Sequence, residues 1–315
     1  MKLFKKSAAM LLSIILVISS LSIVAFAYDN DDFDVSDYTW EDIMSMSNSE
    51  YRALLSDFER VYDPFDTYET DPIIEPQNND GIQLYWTSGE TDMSETGSHE
   101  LITARACGIL LSDVGFWGEN KNGSIIIGLT LSLASILPDK NTIDFSGHFY
   151  DPDTEKNFIG NKINTALTNV EFHYVMATNS YDEQEINESF IINVGKMLHY
   201  IQDASEPHHA ANIIANPFNN AHGQFESFAD ENLNSYIDSF TTINASEYIK
   251  AYSSTPGSLL KETAKKAKNL SSKVNKVSDK SQWSFVANIT TRNAVQYSAM
   301  LLYKLSIDLS IPLAK

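Results

Sequence analysis

Between residues 184 and 204 apolar side chains return every three or four positions. Ile186, Phe190, Val194, Met197, Leu198 and Ile201 fall on one stripe of a 3.6-residue helix, with polar residues between them. The same spacing predicts helices over 99–114, 160–178, 222–240, 256–272 and 283–309. From Trp86 onward there is no sustained alternation of the kind a half-buried strand shows, and nothing repeats at a fixed period. The pattern predicts an all-α fold for residues 86–315.

Upstream the pattern changes. Lys2, Lys5 and Lys6 precede an apolar stretch from Ser7 to Val24, which ends in Ala25-Phe26-Ala27. That is the layout of a secretory signal peptide over residues 1–27, so the expected location is extracellular. Residues 28–85 then hold 11 Asp and 5 Glu against only Arg52 and Arg60. Within them one helix is predicted around Ser47–Tyr62, where Ser47 and Glu50 have capping-box spacing. Pro64, Pro72, Pro76 and "QNNDG" beyond it read as an extended linker. Composition leaves the block three readings: a pro-segment, an acidic tether, or a small packed element.

The whole chain carries 42 acidic and 22 basic side chains, for a net charge of −20. That excludes a nucleic-acid binder working by phosphate neutralisation. A hydrophobic content of 43% excludes a disordered chain. With Cys107 as its one cysteine, the chain cannot form an internal disulfide, which leaves a bound metal as a candidate staple for an exported protein.

The histidines point the same way. There are seven, none before His99, and four lie in "HYIQDASEPHHAANIIANPFNNAHGQFE". His199 and Asp203 are spaced i,i+4, which puts an imidazole and a carboxylate on one helix face. His222 and Glu226 repeat the spacing, and Pro207 breaks the chain between them to present His208 and His209. Two such pairs with a histidine between them can enclose a metal cluster. Nitrogen and carboxylate donors without thiolates suit zinc best, with manganese and iron left open. The spacing by itself names no reaction.

This segment resembles the signature of the bacterial zinc-dependent phospholipase C family. "DFSGHFYDPDT" at 144–154 is similar to a second motif of that family, and Trp86, thirteen residues before His99, to a third. The resemblance covers 86–315 and implies three zinc ions. His148, His199, Asp203 and an upstream aspartate would hold the first. Asp203 would bridge to a second ion bound also by His99 and by the α-amino group and carbonyl of Trp86. His209, His222 and Glu226 would hold the third. Asp139 is the expected upstream aspartate and Asp144 the fallback. His208 and His173 match no ligand position and read as packed or surface histidines.

The resemblance further implies phospholipid hydrolysis at a membrane or micelle surface. A metal-activated water would attack, with Asp139 orienting or deprotonating it as well as binding metal. Ligation by Trp86 requires a free amino group there, so a processing protease is expected to cut after Tyr85, making 28–85 a pro-segment and the precursor a zymogen. Phe145 matches an aromatic that packs on a choline head group. Gly89 and Lys140 stand where relatives carry a carboxylate and an aromatic, which leaves head-group selectivity open. The chain ends at Lys315 without the C-terminal lipid-binding β-sandwich of toxic relatives, so strong membrane lysis is not expected. A monomer is expected, with no nucleic-acid partner. Two rivals remain: a secreted single-strand nuclease on the same scaffold, and a catalytically silent zinc-stabilised binding module.

Overall fold

The computed structural model describes residues 33–62, 64–65, 98–140, 142–181, 185–215 and 220–314. Thirteen α-helices form among them: α1 (Trp40–Ser45), α2 (Asn48–Tyr62), α3 (Ser98–Asp113), α4 (Lys121–Ala134), α5 (Leu137–Lys140), α6 (Ala166–Ser180), α7 (Glu188–Asp203), α8 (Pro207–Ala210), α9 (Ala221–Glu231), α10 (Leu233–Ile237), α11 (Ala245–Ser253), α12 (Pro256–Lys268) and α13 (Trp283–Leu309). No strand forms among the described residues, where the sheet-like pairing consists of two isolated bridges. The fold is all-α, as the periodicity predicts.

The helices start where short polar side chains cap them. Asn187 Oδ1 accepts from the Phe190 amide at 2.8 Å to open α7. Thr165 and Thr255 each form a capping box, and Pro256 occupies the first turn of α12. The apolar stripe of α7 is buried against α4, α6 and α13. Helix α3 is buried on every face from Ser98 to Leu110. Helices α4 and α13 flank it, which makes α3 and α7 the centre of the molecule.

The predicted helices shift where local chemistry intervenes. Residues 160–165 form a loop, because Gly160 and Asn164 take φ of 87° and 55° and Thr165 caps the helix that follows. The stretch 222–240 splits at Asn232, whose side chain donates to the Phe228 carbonyl at 2.8 Å. Helix α4 has no counterpart among the predicted elements. Ile125, Ile126, Ile127, Leu129, Leu131 and Leu133 put apolar side chains on every side of it, so its period is hidden. It is apolar and long enough to cross a membrane together with α5, but it is mostly buried inside the protein, as a core helix is.

The acidic block does not stay apart from this core. Helix α2 begins as the Ser47 and Glu50 spacing predicts: the Ser47 amide donates to Glu50 Oε2 at 2.8 Å and the Glu50 amide to Ser47 Oγ at 3.3 Å. Trp40, Ile43, Tyr51, Leu54, Leu55 and Phe58 are buried in the same hydrophobic core as α3 and α4. The predicted linker beyond Phe65 lies outside the described residues.

Candidate metal centre

Six elements bring their donors to the middle of the helical array. Helix α3 carries His99 near its start, α5 carries Asp139, and a 3-10 turn over Thr142–His148 ends in His148. Helix α7 ends in His199 and Asp203, one turn apart on one face, and His209 follows on α8. Helix α9 supplies His222 and Glu226. All eight side chains are buried.

Asp203 sits at the hub. Its Oδ2 lies 2.8 Å from His148 Nδ1 and 3.0 Å from His199 Nε2, and those two ring nitrogens are 2.8 Å apart. Its Oδ1 turns the other way, 3.5 Å from His99 Nε2 and 3.5 Å from His209 Nδ1. Asp139 straddles the same two places, with Oδ1 at 3.5 Å from His199 Nε2 and Oδ2 at 3.9 Å from His99 Nε2. The remaining donors gather beside these. Glu226 Oε1 is 2.9 Å from His222 Nε2 and 3.2 Å from His209 Nε2.

Several histidines are held in one tautomer. His199 Nδ1 donates to the Ser135 carbonyl at 2.8 Å, and His99 Nδ1 donates to Gln202 Oε1 at 2.7 Å. His209 Nδ1 donates to the His148 carbonyl at 3.2 Å. In each ring Nε2 is the atom turned into the cluster, where a metal in place of a proton would take its lone pair, the arrangement that metal-ligating histidines use. Gln202 is locked in turn by donating to Thr103 Oγ1 at 3.0 Å and Ser298 Oγ at 3.2 Å.

The charge balance calls for cations. Asp139, Asp203, Glu206 and Glu226 are buried carboxylates, and the ion pairs they make run to histidines. Burial pushes Asp139 up to about 6 despite its histidine neighbours. Burial works against ionised Asp203 too, but His199, His209 and His148 outweigh it and hold that carboxyl well below its usual range. His209 is driven up to about 10: burial opposes its charge, and Asp203 and Glu226 more than offset that. His99 falls to about 3 through burial and the nearby His199, so it stays neutral. Buried carboxylates on this scale are costly unless paired or metal-bound.

Bound metal is the fitting partner. Asp139 Oδ2, His148 Nε2, His222 Nδ1 and Glu226 Oε2 are buried and make no hydrogen bond. Donor atoms about 2.0–2.1 Å from a tetrahedral ion stand about 3.3 Å apart, close to the spacings described here. Three donor sets fall within reach of one ion each: Asp139, His148 and His199; His99, His199 and Asp203; and Glu206, His209, His222 and Glu226. The donors are imidazoles and carboxylates, which suit zinc.

A family model described as zinc dependent phospholipase C matches residues 128–301. The chain belongs to the zinc-dependent phospholipase C family. Among curated relatives, a phospholipase C of Clostridium novyi is 26% identical over 257 residues, covering 72% of this chain and 62% of that protein. One from Paraclostridium bifermentans is 31% identical over 159 residues, covering 45% and 39%. Among solved structures, an alpha toxin from Clostridium absonum superposes with a TM-score of 0.58 at 27% identity, covering 68% of this chain and 64% of that one. This chain thus spans about three fifths of the relatives it matches most fully.

Of the residues expected at the site, the structure gathers His99, Asp139, His148, His199, Asp203, His209, His222 and Glu226 into this one centre. Trp86 lies outside the described residues, as does the side chain of Asp144. Phe145 is half-buried at the margin, its ring 6.5 Å from that of His148 and 5.3 Å from those of Phe149 and Phe158. His173 is half-buried and bonded to Asn193 at 2.9 Å. His208 is fully buried, with Nδ1 against Glu206 Oε1 at 2.8 Å and its ring stacked on His222.

Glu206 and Gln202 are the residues that pattern reasoning passed over. Glu206 caps α8: its Oε2 accepts from the His208 amide at 2.5 Å and the His209 amide at 2.7 Å. It thereby aims His209 and adds a carboxylate 3.9 Å from His222 Nε2. Its signal was an acidic residue directly before Pro207, a helix start in miniature. The "HFYDPD" block has a positioning role as well. The Phe149 ring stacks on His209 at 4.6 Å, and the Tyr150 amide donates to the His209 carbonyl at 3.3 Å.

Proposed function

We propose that the protein is a secreted phospholipase C that cleaves the glycerol-side phosphodiester bond of phospholipids, phosphatidylcholine or a similar lipid, to diacylglycerol and a phosphorylated head group. The observation that carries this reading is the buried cluster of eight imidazole and carboxylate donors, with Asp203 and Asp139 each straddling two donor sets, in a chain of this family. Three zinc ions would be held there. When bound, such ions lower the pKa of water and neutralise charge gathering on a phosphodiester.

The chain's own residues would then do the following. Asp139, whose Oδ2 makes no hydrogen bond, orients the attacking water and takes its proton. The water oxygen joins phosphorus, the bond to the glycerol oxygen breaks, and the leaving oxygen is reprotonated. Asp203 keeps the neighbouring donor sets at fixed separation. Phe145 with Phe149 and Phe158 gives the margin of the centre an aromatic wall suited to a lipid head group. The first 27 residues would direct export, and a cut after Tyr85 would free the Trp86 amino group for the second ion.

The test is hydrolysis by processed protein of phosphatidylcholine vesicles and of single-stranded DNA, each with and without a chelator. Chelator-sensitive release of diacylglycerol is expected. Cleavage of DNA without lipid would overturn the proposal in favour of a nuclease. Loss of fold on chelation with no phosphodiesterase activity would favour a binding module. The N-terminal residue of the active protein tests the processing step, and full activity with Tyr28 at the N-terminus would refute it.

A further inference from the structure

The helical half of the acidic block is fitted to the domain it precedes. The Trp40 ring lies edge-on to Phe116 at 6.0 Å, and its Nε1 donates to Ser124 Oγ on α4 at 3.0 Å. Tyr51, completely buried, donates from its hydroxyl to Ser132 Oγ on α4 at 2.8 Å. The buried Arg105 guanidinium of α3 donates to the Met44 carbonyl of α1. Asn234 on α10 donates to the Met46 carbonyl at 3.3 Å.

The receiving helices are shaped for these side chains. Gly128 lies in the middle of α4, where a glycine ordinarily weakens a helix. A Cβ there would come within 2.4 Å of the Trp40 ring. Gly108 on α3 faces Met44 in the same way, with a Cβ falling 2.2 Å from its sulfur. Two helix-weakening residues thus stand where the acidic block seats a large side chain. Without the block, Arg105 would lose its Met44 partner, and α3 would show its apolar outer face to water on the helix that carries His99.

We propose that residues 33–62 remain bound to the helical domain after the chain is cut between them, so that the processed protein is a two-chain complex in which α1 and α2 brace α3 and α4. A discarded pro-segment would need a detachable interface. This one has the core side chains, buried hydrogen bonds and matched glycines of a permanent one. The inference takes from the proposed function only the existence of a cut, so it is tested with an engineered one.

A site-specific protease sequence placed within residues 72–82 of the full chain allows cleavage at will. After cutting, size-exclusion chromatography and native mass spectrometry at micromolar concentration should show both fragments together, one to one. Separation of the fragments, whether or not the larger one stays folded, would overturn the proposal. The variant Gly128→Ala supplies a second readout. Replacing a helical glycine with alanine ordinarily raises the melting temperature, but here it should lower that of the uncut chain and weaken fragment retention at least tenfold. A higher melting temperature with unchanged retention would show that Trp40 is not seated as described, and would equally overturn it. Neither readout involves lipid cleavage, so this inference can fail while the proposed function stands.

Discussion

At the scale of single residues, the metal centre depends on side chains that never meet a substrate. Gln202 holds the His99 ring through one hydrogen bond and is itself fixed by Thr103 and Ser298. Replacement by leucine keeps the bulk and removes the acceptor. Gln202→Leu should weaken metal retention by about 10- to 100-fold, the usual cost of losing such a support. Chelator titration followed by metal analysis reads this directly, and excess zinc should restore the lost occupancy. Four candidate donors were legible in the sequence because i,i+4 spacing fixes His199 with Asp203 and His222 with Glu226 on their helices, whereas His99, Asp139 and His148 were expected only through the family resemblance. Gln202 was not legible: it sits one residue before Asp203, and its partner His99 comes from a helix more than a hundred positions away. Glu206 lay between these cases, marked only by the proline after it.

At the scale of elements, the clear periods were readable and the uniformly apolar helix was not. Helix α7 presents a stripe because one side meets solvent, whereas α4 has apolar side chains on every side and its period is obscured. Charged contacts on the outer faces add to the helix pattern without shaping it, and those of Glu262 join its helix to itself and to its neighbour. Glu262 on α12 lies 3.0 Å from Lys250 on α11 and 3.2 Å from Lys266. Partial burial raises its carboxyl, but the Tyr297 hydroxyl and the two lysines prevail and bring it to about 2, below the ordinary 4.5. A depressed folded-state pKa stabilises the protein fully above about 4.5, and that contribution fades as the pH falls through about 2. Glu262→Gln should therefore lower stability near neutral pH and differ progressively less from the wild type as the solution is acidified below 4.5. Glu262 is 36% exposed, so the effect should be about 1 kcal/mol or less, read from denaturant midpoints at several pH values.

At the scale of the whole molecule, the margin of the centre continues into exposed apolar surface. Ile159 and Ile163 are 57% and 75% exposed on the loop after Phe158. Asn164 on the same loop donates to Ser146 Oγ at 3.0 Å, which ties the loop to the residue after Phe145. If this surface meets lipid, Ile163→Glu should reduce hydrolysis of phospholipid vesicles by about tenfold, the worth of one apolar side chain withdrawn from an interface. Hydrolysis of a short-chain monomeric phospholipid should stay nearly unchanged, and comparing the two rates checks the prediction. Chelation acts on the molecule as a unit. With bound metal stripped, four buried carboxylates would lose its counter-charge, and the melting temperature should fall sharply and recover on adding zinc. Differential scanning calorimetry of the same sample before chelation, after it, and after zinc is restored would show this.

The centre draws its donors from a stretch of chain running from His99 to Glu226, so no local piece of sequence can assemble it alone. Until those segments meet, each donor competes freely for metal and for protons. Once they meet, bound metal would close the intervening loops together. A chain stitched in this way, with Cys107 as its one cysteine, is completed by whatever zinc its surroundings supply. Surroundings that sequester zinc would act on such a protein at the moment of its folding, before any substrate is in reach.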